Sequence, residues 1–459
     1  MINIKTDYRK LKPGDTYVAL RGVHTDGHDY IEQAIQKGAR KIVAETGSYN
    51  IPTEIVSDTR SYLNQYLRKN YNSFLHEMNI IGVTGTNGKT SVSYLLYEAM
   101  NRLGYKVAYL GSLGFYLDRQ QEDKEDEVID TCDIYDYIIT AYDQGYRYFI
   151  LEVSCHDLAE ERVENIPFDD AIFTNLSESN LEAYVSMEKY AEVKQKLFRN
   201  LKSGGICIVN SDDAYASNFL LSNNFNLTYG MGNQANFKIG TYELNPTGMI
   251  FHFSYKGDTY QVNTSLIGKY NIYNLMAVII YLLCLGVKPV SLLKTIYSLK
   301  APSGYMDMIK YNDNLVIVDY AHTPDAMEKV LMSAKEFTKG DIYVIFGCAG
   351  GKDRLKRPAM AYVASRLSKK FIITTDDSLY EDENQIVNDI LSKKDFNNYE
   401  VILDRHEAIF KGMSYLRQND TLLILGKGYE QTMKIREQMI PFNDKNVVLE
   451  YLEKVRRRR

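Results

Sequence analysis

The chain has 459 residues, 45% hydrophobic and 25% charged, with 54 Lys+Arg against 59 Asp+Glu for a formal net charge of −5. At roughly 150 residues per domain this length suggests three domains, and the mildly acidic balance gives no general pull towards nucleic acid or an anionic membrane. The longest apolar run, residues 277–287, falls short of the ~20 needed to span a bilayer. The start MINIKTDYRK has no signal-peptide stretch, and the five scattered cysteines form no CxxC pair, so a reduced, cytoplasmic protein is expected.

In chain order, residues 1–77 pattern as a small α/β unit, with strands over Thr16–Leu20 and Lys41–Ala44 and a helix over Tyr30–Lys37. From Asn79 the text becomes strand, Gly-rich turn and long helix: NIIGV, TGTNGKT, SVSYLLYEAMNRLG. Apolar strands (VAYLG, YFILEVS, DAIFTNL, GICIVN) then alternate with helices, which predicts a parallel sheet with crossover helices. After Pro302 the alternation resumes through LVIVD, IYVIFG, FIITTD, EVILD and TLLILGKG, predicting a further nucleotide-fold-like domain. The expected fold is therefore α/β in three domains: 1–77, a central P-loop-type parallel-sheet domain over 78–300, and a Rossmann-like domain over 301–459.

The most specific motif is Thr84-Gly85-Thr86-Asn87-Gly88-Lys89-Thr90, set between an apolar strand and an amphipathic helix. Glycines let successive backbone N–H groups curl around phosphate oxygens, and the helix start adds partial positive charge. Lys89 suits the β- and γ-phosphates, and the Thr90 hydroxyl suits Mg²⁺. Val83 stands where the commoner GxxxxGK[ST] loop needs glycine. Glu152 ends the YFILE strand, where open α/β sheets place their ligands.

The TGTNGKT variant resembles the Mur ligases, a family that also includes folylpolyglutamate synthetase. The likeness runs along essentially the whole chain: KPGDTYVALRG (Lys12–Gly22), EVSCHDL (Glu152–Leu158), YAEVKQKLF (Tyr190–Phe198), GKYNIYN (Gly268–Asn274), DYAHTPDA (Asp319–Ala326), LKRP (Leu355–Pro358) and GKGYE (Gly426–Glu430). It is most similar to the branch that joins a third residue to UDP-MurNAc-L-Ala-D-Glu. The resemblance implies an ATP- and Mg²⁺-dependent ligase of peptidoglycan precursor synthesis. A substrate carboxylate takes the γ-phosphoryl group to give an acyl phosphate, and an incoming amine then displaces phosphate. Its partners would be UDP-MurNAc-dipeptide and a free amino acid, with no nucleic acid or membrane, and a monomer is expected.

Site residues follow from the same resemblance. Gly85, Thr86, Asn87, Gly88, Lys89 and Thr90 would hold ATP phosphates, Asn271 and Asn274 would lie near adenine, and Asp319 and His322 near ribose and phosphate. Thr90, Glu152, Asn180 and Lys194 would hold metal, with Lys194 as a carbamate, and His156 would orient phosphate or metal-bound water. Asp7 and Arg9 would line the uridine pocket. Thr131, Ser154 and Arg162 would contact the muramoyl-dipeptide. Lys352 would take the incoming α-carboxylate, and Asp376, Asp377 and Glu430 its side chain.

Four departures from the family pattern lie close to the chemistry. The family's metal-ligating His is Asn180, its Gly-Arg-Met-Glu is Gly304-Tyr305-Met306-Asp307, and its Thr-Thr-Pro is Thr131-Cys132-Asp133. Diaminopimelate-adding members carry Asp-Asn-Pro-Arg where this chain has Asp376-Asp377-Ser378-Leu379. Leu379 cannot pair a distal carboxylate, while the nearby acids suit an amine, so L-lysine is the expected amino acid. The alternatives are a paralogous ligase acting on another carboxylate and a non-catalytic nucleotide-binding regulator.

Overall fold

The computed structural model describes residues 2–22, 25–122, 129–178, 186–393 and 395–457. Among them no helix is long and apolar enough to cross a membrane.

The amino-terminal unit is a four-stranded parallel sheet in the order Ile4–Lys5, Thr16–Val18, Lys41–Ala44, Thr53–Ile55. The helix expected over Tyr30–Lys37 is α-helical over Ile31–Gln36 and entered through a 3₁₀ turn, Gly27–Tyr30, that Asp26 caps. A longer helix, Thr59–Leu75, starts at Asp58, whose side chain accepts from the Arg60 and Ser61 amides. It buries Leu63, Leu67 and Leu75 in a core shared with the central sheet, so this first unit is packed onto its neighbour.

The central sheet has eleven strands, with Asn79–Thr84 flanked by Tyr148–Glu152 on one side and Asp170–Phe173 on the other, all parallel. These strands are apolar throughout because both faces are covered, one by a core including Leu67, Phe149 and Phe173, the other by one including Val92, Ile172 and Ile279. Beyond Phe225–Gly230 the sheet continues as a meander, Phe237–Asn245, Gly248–Tyr255 and Asp258–Thr264, which the expected strand–helix alternation did not include. Its second turn, Lys256-Gly257, takes φ of 52° and 91°, the geometry that suits a two-residue hairpin.

The carboxy-terminal unit is a six-stranded sheet: Asp307–Tyr311, Asn314–Asp319, Thr421–Leu425, Ile342–Phe346, Lys370–Ile373, Tyr399–Val401. All pairings are parallel except the first. A separate hairpin, Thr432–Ile435 with Gln438–Pro441, lies alongside Leu379.

Candidate active site

The phosphate loop leaves the middle strand of the central sheet and enters the helix Lys89–Arg102, which buries Val92, Leu95, Leu96, Ala99 and Met100. Gly88 is the helix N-cap at φ 85°, and no side chain caps this end, so its leading amides face the cleft. Both flanking glycines are required. A Cβ at Gly85 would lie 1.9 Å from Thr174 Oγ1, and one at Gly88 would lie 2.6 Å from Asn274 Oδ1.

The segment after Asp170–Phe173 braces the loop. The Thr86 amide donates to the Asn175 carbonyl at 2.7 Å, and the Asn87 amide to Asn175 Oδ1 at 3.0 Å. The Asn87 carbonyl accepts from Thr174 Oγ1 and Asn175 Nδ2 at 2.7 and 2.9 Å. Asn271 and Asn274 lie behind the loop, nearly buried. Asn274 donates to Asn271 Oδ1, and Asn271 donates to the Ile267 carbonyl.

At the loop's far end Thr90 Oγ1 donates to Glu152 Oε1 at 2.9 Å, and Ser112 donates to the same carboxylate through its amide at 3.0 Å and its hydroxyl at 3.1 Å. Hydroxyl and carboxylate oxygens in this arrangement are the hard donors that Mg²⁺ takes. Lys194, on the helix Met187–Arg199, is fully buried and donates to the Gly85 carbonyl at 2.7 Å, with its Nζ 4.9 Å from the Tyr190 ring centroid. Burial, and then the positive charge of Lys89, bring its pKa down to about 7. Lys196, two residues further along the same helix, instead reaches the Leu158 carbonyl. Lys89 itself folds back onto the Thr86 carbonyl at 3.0 Å. Asn180 lies outside the described residues.

The carboxy-terminal unit closes the other side of the cleft. Asp325, in the first turn of the helix Pro324–Phe337, accepts from Asn87 Nδ2 at 2.7 Å. His322 lies two residues before the helix Pro324–Phe337, in the same unit. Its Nδ1 lies 2.9 Å from the Tyr320 carbonyl, and its own carbonyl accepts from Lys356. Desolvation between the two units, and then Lys356, hold the His322 imidazole well below its ordinary value. His156, in the central unit, is also lowered, by desolvation and by Lys352, with Asp157 opposing. Asp319 is not left free for a ribose in this conformation: its two oxygens accept from the Met306 and Ala321 amides at 2.7 and 2.8 Å. Burial raises its pKa to about 6. Through Met306 it fixes the turn carrying Tyr305, whose ring stacks on Tyr429.

The residues expected to contact the acceptor lie where the first unit meets the central one. Thr131 is the buried first residue of the helix Thr131–Asp143, which Asp130 and Asp133 close as a capping box. Across this contact Thr6 bonds Asp130, Lys5 pairs with Asp136, and Lys10 pairs with Asp133 at 2.7 Å. Ser154 caps the helix Cys155–Ala159 in a capping box with Asp157. Arg162 is held by Glu160 at 2.6 Å and Asp157 at 3.3 Å. Asp7 caps the turn Tyr8–Lys10 and grips the exposed Arg9 at 2.6 Å, a surface pair worth little in stability.

Asp376, Asp377 and Glu430 do converge, with ligand oxygens all within 4.8 Å of one another. The buried Lys427 sits among them, 2.7 Å from Asp377, 2.6 Å from Glu430 and 3.7 Å from Asp376. The carboxylates thus already hold one ammonium of the protein itself. Arg405, gripped by Asp444 in a fully buried bidentate pair, also lowers Asp376 together with Lys427, yet the carboxylates here remain in surplus. Burial against this surplus raises Glu430 to about 7, with Lys427 opposing. Leu379, at φ 53°, is bound by main chain to Lys434 and Arg436 of the hairpin. Sequence reasoning missed Ser112, Asp325 and Lys427. Lys427 lay inside the GKGYE motif, whereas Ser112 and Asp325 gain meaning only when strand ends and units meet.

A phosphate loop at the end of a central parallel strand, a hydroxyl and a carboxylate at its mouth, and a second α/β unit across the cleft define an enzyme that works on nucleotide phosphates. The comparisons with known proteins agree. Residues 2–78 match the family profile described as "Mur ligase family, catalytic domain", residues 83–282 "Mur ligase middle domain", and residues 306–428 "Mur ligase, glutamate ligase domain". A UDP-N-acetylmuramoyl-L-alanyl-D-glutamate--2,6-diaminopimelate ligase of Haemophilus influenzae (strain PittGG) is 35% identical over 471 residues, covering 98% of this chain and 96% of that one. Its namesake from Clostridium botulinum (strain ATCC 19397 / Type A) is 33% identical over 464 residues, with 98% and 95% covered. A solved structure of a ligase of that name has a TM-score of 0.68 at 28% identity, covering 99% of this chain and 95% of that one. The ADP complex of MurF ligase from Thermotoga maritima has 0.70 at 18% identity, covering 99% and 98%, a likeness of fold alone. The chain belongs to the Mur ligase family and is an ATP-dependent ligase that forms amide bonds.

Proposed function

We propose that this ligase joins a diamino acid to the free carboxyl of UDP-MurNAc-L-Ala-D-Glu in the cytoplasm, as a step of peptidoglycan precursor synthesis. The observation that carries the reading is the convergence of Thr90, Glu152 and the buried Lys194 on one phosphate loop, with an acid-lined amine site in the opposing unit. The loop amides and Lys89 would hold the nucleotide phosphates. Thr90, Glu152 and a carboxylated Lys194 would hold Mg²⁺, which when bound neutralises charge between two anionic reactants. Lys194 suits carboxylation because CO₂ attacks only a neutral amine, and a pKa of about 7 supplies one. Asp376, Asp377 and Glu430 would grip the ammonium at the end of the amino acid, and Lys352 its α-carboxylate.

The pocket favours L-lysine. It offers carboxylates to an amine, but the Leu379 side chain cannot itself pair a second carboxylate, whose unpaired burial costs several kcal/mol. The second reading is meso-diaminopimelate, which the names of the similar ligases favour. The test is ADP release measured with UDP-MurNAc-L-Ala-D-Glu and an amino-acid panel. Release that needs both acceptor and amine, fastest with lysine, is expected. Faster turnover with meso-diaminopimelate would select the second reading, and release indifferent to both partners would end the ligase assignment at this acceptor.

A further inference from the structure

The loop that carries Lys352 and the loop that carries Asp376 and Asp377 are braced against each other by two side chains. Arg357, in the first turn of the helix Lys356–Leu367, is fully buried. Its guanidinium donates to Glu381 Oε2 at 2.9 Å, to Asp389 Oδ2 at 2.7 Å and to the Ala349 carbonyl at 3.1 Å. Glu381 reaches back with its other oxygen and accepts from the Gly351 amide at 2.8 Å. Main chain meets main chain beside them. The Gly350 amide donates to the Asp377 carbonyl at 2.8 Å, and a Cβ at Gly350 would lie 2.0 Å from the Ser378 carbonyl oxygen.

Stability alone is a weak reason for such a brace, because well-packed apolar side chains in place of a buried ion pair are often as stable. What the brace fixes is a distance. Lys352 follows Gly351 directly at one end. At the other, Asp377 is tied to Lys427 at 2.7 Å and to the Lys434 amide at 2.9 Å, so the acid cluster belongs to the same frame. The bond from Arg357 holds the Glu381 carboxyl down to about 2, which keeps the brace ionised near neutrality.

We propose that Arg357 and Glu381 are positioning residues that fix the span between Lys352 and the Asp376–Asp377–Glu430 cluster, so that the site selects its amino acid by the length between α-carboxylate and side-chain amine. The proposal rests on the ligase reading above, in which those two ends grip the incoming residue. It applies to lysine and meso-diaminopimelate alike, since both carry the second amine the same number of carbons from the first. Neither Arg357 nor Glu381 touches a reactant; both act through the loops they hold.

The test is ADP release at steady state with lysine and with ornithine, which is one methylene shorter. Both lack a distal carboxylate, so their ratio reads length whichever diamino acid is used best. A methylene is worth about ten- to two-hundredfold in such a site, and the wild type should favour lysine in kcat/KM by that order. Glu381→Ala frees the Gly351 amide while leaving Arg357 its bond to Asp389. It should raise KM for lysine by roughly tenfold and narrow the preference to about threefold or less, with kcat and the KM values for ATP and UDP-MurNAc-dipeptide little changed. Glu381→Gln still offers the Gly351 amide an acceptor and should keep most of the preference. Asp389→Ala removes a partner of Arg357 that does not touch the Lys352 loop, so it should lower Tm and leave the preference intact. Should Glu381→Ala not fold, Arg357→Lys, which keeps the charge and loses the planar fork, is expected to narrow the preference in its place. An undiminished preference in these brace variants, an equal loss in Asp389→Ala, or a wild type indifferent to lysine and ornithine would overturn the proposal. Failure of the ligase reading shows separately, as wild-type ADP release that no acceptor stimulates, and the length selection falls with it.

Discussion

Asn87 Nδ2 and Asp325 Oδ2 meet at 2.7 Å across the cleft, joining the phosphate loop to the first turn of a helix in the carboxy-terminal unit. Asn87 is otherwise gripped through its main chain by Thr174 and Asn175, so this side-chain bond transmits the loop's position to the opposing unit. Such a contact belongs to a closed active site, in which catalysis waits on the approach of the second wall.

Replacing Asp325 with Ala should weaken closure without touching the phosphates. One hydrogen bond of about 0.5–1.5 kcal/mol is lost, so KM for ATP should rise by about two- to tenfold with a smaller change in kcat. Steady-state kinetics at saturating acceptor reads this directly, and an unchanged KM would mean the bond is incidental.

Lys194 sets a pH dependence whose sign is fixed. Its pKa is lowered from 10.5 to about 7, so the neutral amine needed for carboxylation is present above that value and is lost as pH falls through it. Carbamate, seen by ¹³C NMR after ¹³CO₂ addition, should therefore decline below pH 7 together with activity. Lys194→Gln should lower kcat by about 10²-fold, because a charge-bearing group at the reacting phosphate is removed.

The amino-acid site should couple binding to proton release. Glu430 titrates near 7 because burial among carboxylates favours its protonated form. An arriving ammonium favours the carboxylate, so at pH 7 part of a proton should leave as the diamino acid binds. Calorimetry in buffers of different ionisation enthalpy measures it. Glu430→Gln should abolish the release and weaken the amino acid by about tenfold.

Leu379→Arg should turn selectivity towards a distal carboxylate. A charge-assisted hydrogen bond is worth about 1.5–3 kcal/mol, so the ratio of kcat/KM for meso-diaminopimelate over lysine should rise by about ten- to a hundredfold. A ratio that stays flat would show that the distal group never reaches position 379.

The parallel strands, the phosphate loop and Glu152 were legible because each depends on local text: an apolar run, glycines at fixed places, an acid at a strand end. The meander over 237–264 was not, since it joins the parallel sheet at its margin, where exposed positions blur the apolar pattern. Lys194 and Lys196 could not be told apart by exposure from sequence alone. A two-residue step turns the helix far enough to send one amine into the loop and the other to Leu158. Asp319 shows the reverse limit. Its motif was evident, but its two backbone partners depend on how the Tyr305 turn folds back upon it.

The ties of Thr6, Lys5 and Lys10 to Asp130, Asp136 and Asp133 bolt the amino-terminal unit to the helix behind the acceptor site. The carboxy-terminal unit, by contrast, is tethered through the short span between the helix Pro289–Ser298 and the strand Asp307–Tyr311, so any parting of Asn87 from Asp325 must be accommodated by that tether.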